Sequence, residues 1–270
     1  MKQPSEHDRR TVPRGLVAGA AAMAAALLAG GCGGGQRTGA GPAGGRPAAP
    51  AAKLPQATTA TTVTGLPRDT APFATSDGTV VHPRKPVPVS AEPGGEPVAT
   101  LPDTQLGGPT WVPVVESRPG WRRVLLPSRP NHVTGWIPDT PGSLDTARST
   151  HVVKVDVGDR RLTIEDTGRR VGAWTVAVGA ARTPTPTGRT FMLASLAPAK
   201  PTFSPLILPV GAHSDTLDTF GGGPGTVAFH GWPDASVFGR AVTHGCVRVP
   251  KDALARLAKV PLGSPVIVTA

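Results

Sequence analysis

The sequence predicts a mainly β protein with two patterned regions, and three observations predict it. Short β-prone runs recur between Gly, Pro, Asn and Asp from residue 73 to residue 138. Longer runs follow residue 150, where residues 152–157 and 161–165 alternate apolar and polar side chains. Helical spacing occurs in one place, residues 251–259, with Leu254 and Leu257 on one face.

The first 70 residues read as address and tether. Lys2, Arg9, Arg10 and Arg14 precede an apolar run over residues 15–29, and Leu28-Ala29-Gly30-Gly31-Cys32 follows. A charged start, a short apolar stretch and small residues make a secretory signal over residues 1–32. The run is too short to span a bilayer comfortably. Cys32 behind small residues resembles a bacterial lipobox, which implies a diacylated thiol and an anchor in the cytoplasmic membrane. A plain signal peptide is the alternative, and Arg9-Arg10 also fits a twin-arginine signal. The expected location is the outer face of the cytoplasmic membrane or the cell wall. Of residues 33–53, sixteen are Gly, Ala or Pro, and a Thr-rich stretch over 58–64 continues them. No apolar period survives there, so residues 33–70 are expected to form a flexible linker.

Composition excludes several classes. The chain has 270 residues and a net charge of +10. Residues 1–53 hold seven Lys/Arg against two Asp/Glu, residues 54–150 eight of each, and residues 151–270 thirteen against eight. Export explains the first excess. The second suits a surface facing an anionic polymer, or a merely solvated one. Tyr is absent, aromatics total 4% and no recognition motif appears, which opposes nucleic-acid binding. The two cysteines, Cys32 and Cys246, are too few for a disulfide scaffold or a multi-Cys zinc site. Oligomeric state is left open.

In the first patterned region, residues 71–145, strands are expected near 80–81, 86–89, 97–101, 111–115, 121–126 and 135–137. Gly120-Trp121-Arg122-Arg123-Val124 and Thr134-Gly135-Trp136-Ile137-Pro138 resemble the closing strands of a bacterial SH3-like barrel. That resemblance implies a small wall-binding or spacing module. The same Trp111, Trp121 and Trp136 also read as the core of a plain spacer. In the second region, residues 150–270, Asp166-Thr167-Gly168 reads as a hairpin turn. Strands are expected at 174–178, 226–229 and 265–269, and Pro250 and Pro261 bound the helix. The Pro/Gly-rich residues 198–225 read as a long loop.

The chemistry concentrates in His230-Gly231-Trp232 and Thr243-His244-Gly245-Cys246-Val247-Arg248. A nucleophilic thiol needs a base or a cation to supply thiolate. His230 and His244 are candidates. A glycine before the cysteine lets the chain turn and aim amide donors at a developing oxyanion.

His-x15-(Ser/Thr)-His-Gly-Cys-x-Arg resembles the active-site motif of bacterial L,D-transpeptidases. Val178-Gly179 and Arg182-Thr183-Pro184-Thr185-Pro186-Thr187-Gly188, followed by Phe191, match that family's upstream segment, and Val155 with Arg161-Leu162-Thr163-Ile164 its first strands. The resemblance implies a β-rich, sandwich-like catalytic domain over residues 150–270. Cys246 would be the nucleophile and His230 the base, its ring oriented by a backbone carbonyl. Thr243, His244 and Gly245 would form the oxyanion hole and pocket, with the amides of Gly245 and Cys246 as donors and that of His244 as a further candidate. Arg248 and Gly231 would contact substrate, although Arg248 also reads as scaffold and His244 as structural. Residues 198–225 would form a lid or remain a solvated loop. Thr243 stands where Ser is commoner, and Val249-Pro250 where Met or Leu and a polar residue are. The implied reaction is crosslinking of peptidoglycan stem peptides through a Cys246 thioester with release of D-Ala, without metal or organic cofactor, and open to carbapenem acylation. The alternatives are a carboxypeptidase with the same nucleophile, a non-catalytic wall-binding lipoprotein, and a zinc hydrolase built from His213, Asp215, His230 and His244.

Overall fold

The computed structural model describes residues 53–200 and 202–270. The expected signal segment, Cys32 and the linker up to residue 52 lie outside the described residues.

The first patterned region forms β1 (Thr79–Pro83), β2 (Val87–Ser90), β3 (Pro97–Leu101), the small hairpin β4 (Thr104–Gln105) and β5 (Gly108–Pro109), then β6 (Val112–Arg118), β7 (Trp121–Leu125), β8 (Thr134–Pro138) and β9 (Leu144–Arg148). Apart from that hairpin they make one sheet in the order β3-β2-β8-β7-β6-β1-β9. Alternation explains the strands: Val87 and Val89 turn inward while Pro88 stays exposed, and Val124 and Ile137 are fully buried. Trp136 is buried, whereas Trp111 and Trp121 are half-buried.

From Lys53 to Thr70 the expected linker is instead packed on this sheet. The Ala57 N–H donates to Thr100 O and the Val63 N–H to Arg129 O, both at 2.8 Å. Ala57 and Val63 are buried. Asp69 is held by a bidentate Arg189, with both side chains almost fully buried. The segment shows no apolar period because isolated backbone bridges, a few apolar anchors and one ion pair attach it.

The second region forms β10 (His151–Asp156), β11 (Arg161–Asp166), β12 (Arg169–Thr175), β13 (Val178–Gly179), β14 (Gly188–Phe191), β15 (Ile207–His213), the ribbon β16 (Thr219–Phe220) and β17 (Gly223–Pro224), then β18 (Thr226–His230), β19 (Ala241–Thr243), β20 (Val247–Arg248), α1 (Lys251–Leu257) and β21 (Pro265–Thr269). A five-stranded sheet in the order β12-β11-β10-β21-β14 faces a three-stranded sheet, β15-β18-β20. Between them lies one core: Val153, Val155, Leu162 and Ile164 from the first sheet, Leu208, Val227, Phe229 and Val247 from the second, and Leu254 and Leu257 from α1. The turn after β11 places Thr167 and Gly168 at φ 52° and 73°, the left-handed pair a tight two-residue hairpin requires.

The expected long loop over residues 198–225 contains a buried seven-residue strand, β15. Pro209 and Gly211 disguise it in the sequence, and its pairing with β18 is irregular between Pro209 and His213.

Candidate active site

Parallel pairing of β18 with β20 builds the site. Phe229 lies opposite Val247 and His230 opposite Arg248. One step back, the same register sets Ala228 beside Cys246. Phe229 and Val247 turn into the core, so the alternation of a strand puts His230, Cys246 and Arg248 on the other face, with His230 diagonal to Cys246.

His230 is buried and oriented. Its Nδ1 lies 2.8 Å from Gly231 O. A carbonyl only accepts, so Nδ1 carries the proton and the lone pair is left on Nε2. The ring edge packs on Phe203, with centroids 4.9 Å apart. Burial lowers the pKa of His230, the Gly231 carbonyl opposes that, and the Arg248 charge adds to the lowering. The ring is therefore a neutral acceptor.

Cys246 is partly exposed as a residue and is the free cysteine among the described residues. Burial raises the pKa of its thiol, while a hydrogen bond from the Ala228 backbone and the charge of Arg248 pull it down. The resting pair is thus neutral thiol and neutral imidazole.

Hydroxyls hold the Cys246 loop. Thr243 Oγ1 accepts the Gly245 N–H at 3.1 Å and donates to Cys246 O at 2.5 Å. Thr185 Oγ1 donates to Gly245 O and accepts the Gly179 N–H, each at 2.9 Å. Thr183 Oγ1 donates to Thr243 O at 2.8 Å. A Cβ on Gly179 would stand 2.3 Å from Thr185 N, so only glycine fits there. Gly245 sits at φ 112°, in the left-handed half of the map. The upstream Thr-Pro-Thr segment is therefore the cradle of the cysteine loop.

Two of the expected site residues have their amides engaged within the protein. The Gly245 amide, expected as an oxyanion donor, is committed to Thr243 inside the loop. Gly231, expected to contact substrate, is committed to the scaffold: its N–H donates to Ser204 Oγ at 2.7 Å and its carbonyl orients His230. Ser204, which the sequence did not mark, is buried and also donates to Leu206 O.

Arg248 and His244 flank the cysteine. The Arg248 guanidinium lies over the Trp232 ring, 3.6 Å from its centroid. Its Nε is buried with no hydrogen-bond partner. His244 is exposed and stacks on Phe220 at 4.6 Å. His213 faces the carbonyls of Ser214 and Asp218 with its two ring nitrogens, and Asp215 binds Asn131. No three His, Cys, Asp or Glu side chains converge as metal ligands among the described residues.

Residues 150–268 match the family model YkuD, the L,D-transpeptidase catalytic domain. This stretch is an L,D-transpeptidase catalytic domain. Such domains characterise a family of transpeptidases that crosslink cell-wall peptidoglycan through its stem peptides. The enzyme is similar to several solved structures. An L,D-transpeptidase from Mycobacterium smegmatis shares 20% identity over 59% of this chain and 82% of its own, with a TM-score of 0.38. One from Mycobacterium tuberculosis H37Rv shares 19% over 52% and 73%, with a TM-score of 0.39. The catalytic domain of the E. faecium enzyme shares 21% over 44% and 95%, with a TM-score of 0.34. No curated protein sequence matches the chain.

Proposed function

We propose that this L,D-transpeptidase is an exported cysteine acyltransferase with Cys246 as nucleophile and His230 as base. The observation that carries the reading is the strand register: a buried, neutral His230, proton on Nδ1, lies diagonal to Cys246, the free thiol among the described residues.

The site supplies each step. Cys246 attacks the carbonyl of the third residue of a tetrapeptide stem as its proton passes to His230 Nε2. The C–N bond to the terminal D-Ala breaks, and His230 returns the proton to the leaving amine. The side-chain amine of a neighbouring stem then attacks the thioester, His230 accepts its proton, and the thiol is regenerated. Because the Gly245 amide is committed to Thr243, the oxyanion falls to the amides of His244 and Cys246. Arg248, with no carboxylate paired to it among the described residues, takes a carboxylate of the substrate. None of these steps requires a metal or organic cofactor. The seven-stranded N-terminal sheet serves as the SH3-like wall-binding or spacing unit over residues 71–145. The leader exports the chain, and Cys32 anchors it to the membrane.

Incubation with disaccharide-tetrapeptide, read by mass spectrometry beside Cys246→Ala, tests this. Crosslinked dimer with loss of D-Ala is expected from the wild type and none from the variant, and a carbapenem is expected to add its mass to the wild type alone. Tripeptide without dimer would make the enzyme a carboxypeptidase. Product from Cys246→Ala would overturn the nucleophile.

A further inference from the structure

The loop between β7 and β8 belongs to the N-terminal sheet, yet its side chains fasten the neighbourhood of Cys246. Asn131 is buried at the tip of that loop. Its Nδ2 donates to His213 O at 2.7 Å and to Asp215 Oδ1 at 2.8 Å, and its Oδ1 accepts the His213 N–H at 2.9 Å. The side-chain amide thus pairs with the backbone of residue 213 on both its donor and its acceptor, as a neighbouring strand would.

What hangs from that attachment is a closed loop, residues 213–225. Its legs join through Ser214 N–H to Gly225 O at 2.7 Å and Gly225 N–H to Asp218 O at 3.1 Å. Ser214 Oγ accepts the amides of Thr216 and Leu217. Gly225 admits no side chain, since a Cβ there would stand 2.1 Å from Leu217 O. A loop tied this tightly moves as a body. It carries β16 and β17, and Phe220 on β16 supplies the ring that stacks on His244, two residues before Cys246. Thr59, also from the N-terminal region, meets Thr226 where the loop rejoins β18, Oγ1 to Oγ1 at 2.6 Å.

The residue after Asn131 reaches the opposite support of the same cysteine. His132 donates through Nε2 to Thr187 O at 2.7 Å, two residues after Thr185, whose hydroxyl holds Gly245 O. A Cβ on Gly188 would stand 2.3 Å from His132 Nε2, so the contact requires that glycine.

We propose that Asn131 is a positioning residue of the acyl-transfer site: through the 213–225 loop it holds Phe220 against His244 and so fixes one wall of the stem-peptide pocket beside Cys246. The proposal rests on the acyltransferase reading of Cys246. On this view the N-terminal sheet completes the pocket, beyond any role in spacing or wall binding.

The test is made in the full-length protein with Asn131→Ala and Phe220→Ala beside the wild type. The ring-proton resonances of His244, assigned with His244→Ala, report the stacking without substrate. Steady-state kinetics on disaccharide-tetrapeptide report the pocket. Phe220→Ala is expected to return the His244 resonance to the position of an unstacked histidine, and Asn131→Ala to carry it most of the way. Both variants are expected to lower kcat/KM about tenfold, with KM carrying the fall, as loss of a binding wall requires. If Asn131→Ala does not fold, Asp215→Ala removes one of the three bonds from the other side, with about a threefold rise in KM expected and a partial move of the resonance. An unmoved resonance in Asn131→Ala, or in Asp215→Ala where that variant stands in, overturns the proposal. So does a moved resonance with unchanged KM. A wild type that consumes no stem peptide overturns the acyltransferase reading instead, and the resonance then decides alone whether Asn131 holds Phe220 on His244.

Discussion

The two sides of Cys246 are built from different parts of the molecule. On the Trp232 side the support comes from the catalytic domain itself. Ser204 holds the Gly231 amide, Gly231 holds His230, and Trp232 lies under Arg248. On the His244 side, Phe220 sits on a loop fastened by Asn131, Arg129 and Thr59, all from the N-terminal region. The first wall arises where its own strands pair. The second exists only once two regions of the chain have docked. The domain that carries the chemistry is thus not the whole of the site. The two cores agree: Phe191 and Leu193, which lie in the catalytic domain, pack in the N-terminal cluster with Val124 and Ile137.

The largest effect is expected where the docking itself is buried. Asp69 meets Arg189 bidentately, the Arg189 Nη1 also donates to Ala74 O, and the two side chains are only 3% and 5% exposed. Asp69→Ala strands a guanidinium in the interior, which costs about 3–5 kcal/mol. Chemical denaturation is expected to show that loss. A loss below about 1 kcal/mol would mean that the seam relaxes and admits water, and the contrast between an intrinsic and an assembled wall would lose its footing.

A change confined to the intrinsic wall sharpens the contrast next. The Arg248 charge lowers the pKa of both Cys246 and His230. Arg248→Gln therefore raises both. A neutral His230 is needed to take the thiol proton, so the acid limb of the kcat/KM profile follows the pKa of His230 and moves to higher pH in the variant. Alkylation of Cys246 by iodoacetamide at neutral pH slows, because less thiolate is present. If Arg248 also binds the terminal carboxylate of the stem, kcat/KM falls roughly tenfold or more for the free acid. It barely changes for a C-terminal amide. A preference for the acid that survives Arg248→Gln would leave Arg248 as scaffold.

The contrast also explains what was legible in the sequence. Cys246, His230 and Arg248 could be singled out because two short motifs carry them, one ending β18 and the other leading into β20. The strands of both sheets were legible where apolar residues alternate, as at Val153, Val155, Leu162 and Ile164. β15 was not, because Pro209 and Gly211 interrupt its run. Gly211 is there because a Cβ would stand 2.5 Å from the Phe191 ring. Gly245 was legible as a necessary glycine and Gly231 only as a neighbour of His230, and neither amide's partner could be read. Their partners, Ser204 and Thr243, are ordinary hydroxyl residues whose bonds depend on tertiary placement. Asn131 lies 82 residues from the backbone it binds, and no local pattern announces such a contact. Residues 53–70 misled for the same reason: a segment pinned by scattered bridges and a distant ion pair has the composition of a tether.

The smallest effect is expected at the exposed edge of the assembled wall. Arg129 Nη2 reaches Asp218 Oδ1 at 2.5 Å, but the Asp218 side chain is 81% exposed. An ion pair that open to water contributes about 0–1 kcal/mol, and salt screens it. Asp218 also holds the loop through its backbone carbonyl, which accepts the Gly225 N–H and faces His213 Nε2, and a change at Arg129 leaves both contacts in place. Arg129→Ala is therefore expected to leave KM for the stem peptide within about twofold and to lower the denaturation midpoint only slightly, with the difference vanishing at high salt. A tenfold rise in KM at physiological salt would transfer the positioning role from Asn131 to the surface ion pair. The assembled wall would then respond to ionic strength, whereas the intrinsic wall, held by Ser204 and Gly231 through neutral hydrogen bonds, would not.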